Sequence, residues 1–244
     1  MNLVVDIGNT RVKLAVFDER TLLDKVVLEK QRFDKNYLQD FEQKHAFDRT
    51  ILIHSGEPDA SALNYLREKG NFLLLDAQTP LPIFNAYETP ATLGKDRLSA
   101  VTAAHFLFPN KNCLVIDCGT CITYNFIDSS GTFRGGSISP GLQMRFRAMH
   151  EFTAKLPLLQ AGDCGDFIGK NTESSIRVGA QTAAIFEMDA FISAYSARFE
   201  QLTTLITGGD AHFFALHLKN KIFAEENLVL IGLNEILNFN SNIR

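Results

Sequence analysis

Asp6-Ile7-Gly8-Asn9-Thr10 and Asp117-Cys118-Gly119-Thr120-Cys121-Ile122-Thr123 are two versions of one local pattern. Each follows an apolar run, Leu3-Val4-Val5 or Leu114-Val115-Ile116. Each precedes another, Val12-Lys13-Leu14-Ala15-Val16-Phe17 or Ile122-Thr123-Tyr124-Asn125-Phe126-Ile127. Both therefore read as strand, tight glycine turn, strand, with an aspartate closing the first strand. Such a turn is a good phosphate cradle. Glycine allows close backbone approach, the turn N–H groups and a threonine hydroxyl donate, and the aspartate can hold a hydrated Mg²⁺. A single copy would be an ordinary hairpin, because Asp-x-Gly is a common turn. Two copies lie about 110 residues apart, about one domain length, and imply two related domains closing on one nucleotide.

The rest of the chain repeats the same order. Strands are expected near 2–6, 12–17 and 24–29. A helix near 35–46, a strand at 50–54, a helix near 59–69 and a strand at 72–75 follow. A loop carrying Pro80, Pro82 and Pro90 leads into a helix over 96–108. Pro109-Asn110-Lys111-Asn112 marks a boundary, giving expected domains of 1–110 and 111–244. The second half restarts with strands at 113–117, 122–127 and 132–138. A helix is expected after Pro140-Gly141 and a longer one over 173–199. A strand at 203–206 ends in Thr207-Gly208-Gly209-Asp210, and Leu228-Val229-Leu230-Ile231 reads as a strand before a last helix. The class is α/β, in two similar halves.

Composition sets outer limits. The 244 residues are 45% hydrophobic and 21% charged, with a net charge of -4 and no basic block, so nucleic-acid binding is not expected. No apolar stretch reaches membrane-spanning length, and no membrane partner is expected. The chain starts directly in a strand, with no leader pattern, and a cytoplasmic location is the default expectation. Cys113, Cys118, Cys121 and Cys164 are too few and too irregular for a disulfide scaffold. Cys118-Gly119-Thr120-Cys121 is formally C-x-x-C. β-branched residues follow it rather than a helix, and no second ligand pair appears, so both cysteines read as small buried residues of a hairpin. Gly165 to Asn171 only approaches a P-loop and has no strand before it. No dinucleotide fingerprint occurs, and the six histidines have no metal-ligand spacing.

Four further segments narrow the reading. They are Asp6-Ile-Gly-Asn-Thr-Arg-Val-Lys13, Gly94-Lys95-Asp96-Arg97, Asp117-Cys-Gly-Thr120 and Gly135-Gly136-Ser137-Ile138-Ser139-Pro140-Gly141-Leu142. With Thr207-Gly208-Gly209-Asp210, they resemble the phosphate and adenosine segments of the acetate and sugar kinase, Hsp70 and actin superfamily. In this order and spacing they resemble type III pantothenate kinase, from Met1 to about Leu233. Lys95 stands where that family usually has a small residue, and Cys118 and Cys121 frame a Gly-Thr more often framed by other small residues.

The resemblance implies two ribonuclease H-like (actin-like ATPase) domains with a nucleotide cleft between them. It implies ATP, Mg²⁺ and a monovalent cation, K⁺ or NH₄⁺, with pantothenate as phosphoryl acceptor. Asp6, Ile7, Gly8, Asn9, Thr10, Arg11, Val12 and Lys13 would serve ATP: Asp6 organises the metal, and the Gly8-to-Thr10 turn holds the β- and γ-phosphates. Thr120 would reach the phosphates from the second half, and Asp117 would bind the monovalent cation. Asp96 would be the general base, and Tyr87, Gly94, Lys95, Asp96, Arg97 and Thr172 would bind pantothenate. A homodimer through the second half is also implied, and Ile176, Ala180, Ala184, Met188 and Phe191 on the long 173–199 segment give it a surface. Another small-molecule kinase of this superfamily and a non-enzymatic transcriptional accessory protein are the alternative functions.

Each residue also has a plainer reading. Asp96 at a helix start stabilises the dipole. Thr172 can be a helix N-cap, Asp117 a turn cap and Tyr87 loop packing. Arg145 and Arg147 read as one solvated face.

Overall fold

The computed structural model describes residues 1–163 and 165–241, so Cys164 lies outside the described residues. The chain divides into two compact units, Met1–Leu107 with the chain from Asn227 on, and Phe108–Glu226.

The first unit opens with β1 (Asn2–Ile7), β2 (Arg11–Asp18) and β3 (Thr21–Glu29), an antiparallel meander. Helix α1 (Lys35–Lys44), β4 (Arg49–His54), α2 (Ala60–Glu68) and β5 (Phe72–Leu74) follow. Both helices start where the sequence offers an aspartate cap: Asp34 accepts from the Tyr37 N–H at 2.8 Å and Asp59 from the Ala62 N–H at 2.9 Å. The two-residue β6 (Phe84–Asn85) precedes α3 (Lys95–Leu107). The sheet order is β3-β2-β1-β4-β5, with β4 parallel to both β1 and β5. Leu3, Val5, Ile7, Leu14 and Leu52 are fully buried on one face, under α1 and α2.

The second unit repeats this plan. β7 (Cys113–Cys118), β8 (Cys121–Ile127) and β9 (Thr132–Pro140) form the meander. Helix α4 (Leu142–Glu151) follows, and a longer helical stretch contains α5 (Thr172–Arg177), a π turn at Val178–Thr182 and α6 (Ala183–Arg198). β10 (Thr203–Thr207), α7 (Ala211–Ala215) and the short β11 (Phe223–Ala224) complete the unit. Its strands run β9-β8-β7-β10-β11, with β10 parallel to β7 and β11. First strand for first strand, this is the order of the first unit, as the repeated Asp-Gly segments require.

Two expectations change here. Leu228-Val229-Leu230-Ile231 is not a strand but the first turn of α8 (Leu228–Ser241). A helix buried on nearly every side is a continuous apolar run, and periodicity cannot then separate it from a strand. The segment also packs in the first unit rather than with the second half. The Asn2 amide donates to Asn234 at 2.7 Å and to Asn238 at 2.9 Å, Asn234 donates to the Glu19 carbonyl at 2.7 Å, and Arg20 makes a bidentate pair with Glu235. Against α3 the approach is closest at Gly232, where a Cβ would fall 1.7 Å from the Ser99 carbonyl oxygen.

The face once given to a partner subunit is core. Ile176, Ala180, Ala184 and Met188 are buried against β7, β8 and α4 within the second unit, and Phe191 packs half-buried against the same core. The second unit's own core thus covers four of the five expected residues and leaves only part of Phe191 open.

Candidate active site

In the first unit, Gly8, Asn9 and Thr10 form the turn between β1 and β2, below the last rung of Ile7 with Val12. The Gly8 N–H donates to the Arg11 carbonyl at 2.9 Å, and the Thr10 carbonyl accepts from the Lys30 N–H at 2.9 Å. Both ends of the turn are thus fixed, while Asn9, Thr10 and Arg11 stay exposed. A Cβ on Gly8 would meet the Arg11 carbonyl at 3.2 Å, so the turn's closeness asks for glycine.

Asp6 stands opposite Lys13 in the ladder, with Nζ 3.7 Å from Oδ2 and only 15% of the carboxylate side chain exposed. Its pKa is raised, first by burial; the negative charge of Asp96 adds to this and Lys13 opposes it. An acid carrying that penalty favours a cation, and a hard carboxylate oxygen beside a phosphate-sized turn suits Mg²⁺.

Asp96 lies in the first turn of α3, as its plainer reading required. Its Oδ1 accepts the Arg97 N–H at 2.8 Å. A Cβ at position 94 would fall 2.5 Å from that same oxygen, so Gly94 gives the carboxylate its room. Arg97 is buried, with its guanidinium 5.5 Å from the centre of the Tyr87 ring. Two residues thus meet that are ten positions apart in sequence. Lys95 turns back instead, donating to the Leu93 carbonyl at 3.3 Å. Next to Asp96 opens a cavity of about 370 Å³ lined by Ile53, His54, Ser55, Leu93, Gly94 and Lys95 among others. Sequence reasoning missed His54 and Ser55. His54 ends β4, a strand parallel to β1, and Ser55 follows it; ligands favour the carboxyl ends of parallel strands, which was the available signal.

In the second unit the turn is one residue shorter. Only Gly119 and Thr120 separate β7 from β8, and the Gly119 N–H donates to the Cys121 carbonyl at 3.0 Å. Thr120 is exposed. Asp117 faces Thr123 in the ladder, where Asp6 faces Lys13, so the two turns are not electrically equivalent. Thr207 runs beside Asp117, and Gly208 follows with φ +98. A Cβ there would lie 2.5 Å from both the Asp117 Oδ1 and the Cys118 carbonyl oxygen, so only glycine fits. The Asp210 N–H donates to that carbonyl at 2.9 Å, and burial raises the Asp210 carboxyl pKa. Gly141 closes the turn from behind: its N–H donates to the Thr120 carbonyl at 3.1 Å, and a Cβ would lie 2.4 Å or less from the carbonyls of Gly119 and Thr120.

Thr172 is exposed in the first turn of α5. The N-cap is Asn171, in a capping box with Ser174, so Thr172 is not the cap. Cys118 is buried and Cys121 half-buried, at the two ends of the turn, and both are free thiols. Arg145, expected on a solvated face, instead pairs with Glu187 at 2.6 Å.

A family model described as type III pantothenate kinase matches residues 2–194. A type III pantothenate kinase of Bacteroides fragilis is 45% identical over 243 residues, 99% of each chain. One of Christiangramia forsetii is 44% identical over 98% of this chain and 99% of its own. Among solved structures, a glucokinase from an Antarctic psychrotroph superposes with a TM-score of 0.55 at 12% identity, covering 98% of both chains. A Campylobacter jejuni protein described as a Baf family transcriptional activator superposes at 0.62 and 20% identity, over 98% of this chain and 99% of its own. At such identities these two likenesses speak for the fold alone. Two α/β units with a repeated Asp-Gly turn, a glycine-backed aspartate at the head of α3, and full-length relatives above 40% identity lead to one assignment: the chain belongs to the type III pantothenate kinase family.

Proposed function

We propose that the protein transfers the γ-phosphoryl group of ATP to the primary hydroxyl of pantothenate, giving 4′-phosphopantothenate and ADP at the entry to coenzyme A synthesis. One observation carries the reading. In the first unit the Asp6 carboxylate is only 15% exposed, and its pKa is raised first by burial and further by the negative charge of Asp96. A kinase needs that pair, one acid for the metal and one for the acceptor proton.

Asp6 would hold the divalent ion, which would supply charge neutralisation at the transferring phosphate. In the first unit the Gly8–Thr10 amides and Lys13 serve the phosphates of ATP, and in the second unit the Thr120 hydroxyl is a phosphate donor. Asp96 takes the proton of the pantothenate hydroxyl as its oxygen bonds to the γ-phosphorus and the bond to the ADP oxygen breaks. Arg97 and Tyr87, already in contact, receive pantothenate with Gly94 and Lys95, and Thr172 of the second unit is assigned to pantothenate by its family position. Asp117, beside the Cys118 carbonyl and Gly208, offers hard oxygens to K⁺ or NH₄⁺. A homodimer is the proposed assembly; exposed Phe152, Phe167, Ile168 and Phe186 in the second unit are apolar groups a second copy could cover. The cytoplasm is the proposed location, in keeping with three free thiols.

The test is an ATP-dependent assay over pantothenate, sugars and short-chain acids, run in K⁺ and again in Na⁺. Phosphorylation of pantothenate, faster in K⁺, is expected. Good turnover of another acceptor with none of pantothenate rejects the assignment, and equal rates in both salts remove the role given to Asp117.

A further inference from the structure

Glu187, on α6, accepts hydrogen bonds from β8 and from α4. The buried Tyr124 hydroxyl of β8 donates to Oε1 at 3.0 Å, and Arg145 Nη2 of α4 donates to Oε2 at 2.6 Å. Arg145 is only 16% exposed along its side chain. Its Nη2 also donates to the Ser139 hydroxyl at 2.8 Å, and its Nε donates to the Pro140 carbonyl at 2.9 Å. Burial alone would raise the Glu187 pKa, but the hydrogen bonds from Arg145, Ser139 and Tyr124 outweigh it and hold the carboxyl below its ordinary value. The pair is therefore charged at neutral pH.

Its grip falls on a corner with little freedom. Ser139 and Pro140 end β9, and Gly141 is the next residue. Gly141 is buried, donates to the Thr120 carbonyl, and lies so near Gly119 and Thr120 that no Cβ fits. A guanidinium fixing the two residues before Gly141 thus fixes the backbone on which the Gly119–Thr120 turn rests. Rigid support of this kind is what a phosphate turn needs, because misplacement by about 1 Å can cost about 10²-fold in rate.

We infer that Arg145, held by Glu187, is a positioning residue for the Gly119–Thr120 turn, acting through the Pro140–Gly141 corner to set its fit to the phosphates of ATP. The inference rests on the reading above that Thr120 meets those phosphates. Arg145 touches no substrate in this role. Lysine in its place keeps the charge opposite Glu187 but loses the forked geometry that serves Ser139 and Pro140 together.

The experiment compares Arg145→Met, Arg145→Lys, Glu187→Gln and Thr120→Val by steady-state kinetics with ATP and pantothenate varied separately, alongside thermal unfolding. Arg145→Met is expected to raise KM for ATP by about tenfold, with KM for pantothenate within about twofold of wild type. Arg145→Lys should recover part of the loss, and Thr120→Val should raise the same constant. An unchanged ATP KM in Arg145→Met, with Thr120→Val impaired, overturns the positioning role and leaves the phosphate role of Thr120 standing. An unchanged ATP KM in Thr120→Val removes that phosphate role, and this inference with it. If Arg145→Met fails to fold, Glu187→Gln decides: a raised ATP KM supports the inference and an unchanged one overturns it.

Discussion

At the residue scale, the aspartates of the first unit carry opposite kinds of prediction. Asp96 sits beside its cavity with Gly94 making room, so removing its charge should leave nucleotide affinity nearly intact. Asp96→Asn is expected to lower kcat by about 10²–10⁴, the range for a lost positioned base. Single-turnover kinetics together with ADP titration check this, and near wild-type turnover would return Asp96 to a helix-start role. Asp6 is different because its pKa is raised, chiefly by burial. The folded protein then holds the proton more tightly than the unfolded chain, so stability falls as pH rises from the ordinary carboxylate value through the raised one. Asp6→Asn removes that penalty. The variant should melt above wild type at neutral pH without ligand, and the gap should close as pH falls to the ordinary aspartate range. Magnesium with ATP should raise the melting temperature of wild type more than that of the variant. A gap independent of pH would mean that Asp6 carries no such penalty.

At the element scale, the contact of α3 with α8 governs the first unit. Residues 97–104 of α3 are buried, and so is most of α8, with Gly232 against the Ser99 carbonyl. A methyl at position 232 would have to displace backbone, not a flexible side chain. Gly232→Ala should therefore cost about 1–3 kcal/mol, the range for overpacking, read as a lower denaturation midpoint in urea at unchanged m-value. Stability equal to wild type would mean that the two helices can separate without cost. Because α3 also presents Asp96 and Arg97, the same variant should lose turnover before it unfolds. Element identity was legible where periodicity was clean, as in the two meanders and the Asp-capped α1 and α2. It failed at residues 228–231, where burial on all sides erased the period.

At the scale of the whole molecule, the repeated strand order of the two units makes the duplicated turn a property of the fold, and the difference between its copies lies in one residue of length and in Lys13 against Thr123. Assembly is the other question at this scale. Ala184 and Met188 are fully buried, so Ala184→Glu with Met188→Glu should unfold the second unit instead of parting a dimer. Light scattering on the wild type across assay concentrations is expected to give twice the monomer mass of 27.2 kDa. A fully active monomer would remove the proposed homodimer.

The sequence by itself determined what short-range chemistry can specify. Glycine turns, capping aspartates, alternating apolar runs and the order of four motifs were enough for the α/β class, the repeat and the family, because each is written in neighbouring residues. Tertiary structure decided whatever depends on residues distant in the chain. Only folding reveals that Asp96 adds its charge to Asp6, that Arg97 stacks on Tyr87, and that Gly208 and Gly141 exist to let backbones touch. It also moved Arg145 from a solvated face to an ion pair 42 positions away, and α8 from the second half to the first unit. The physical reason is the same in each case. Burial and Coulomb interaction depend on distance through space, and an exposed arginine and a buried one are spelled alike.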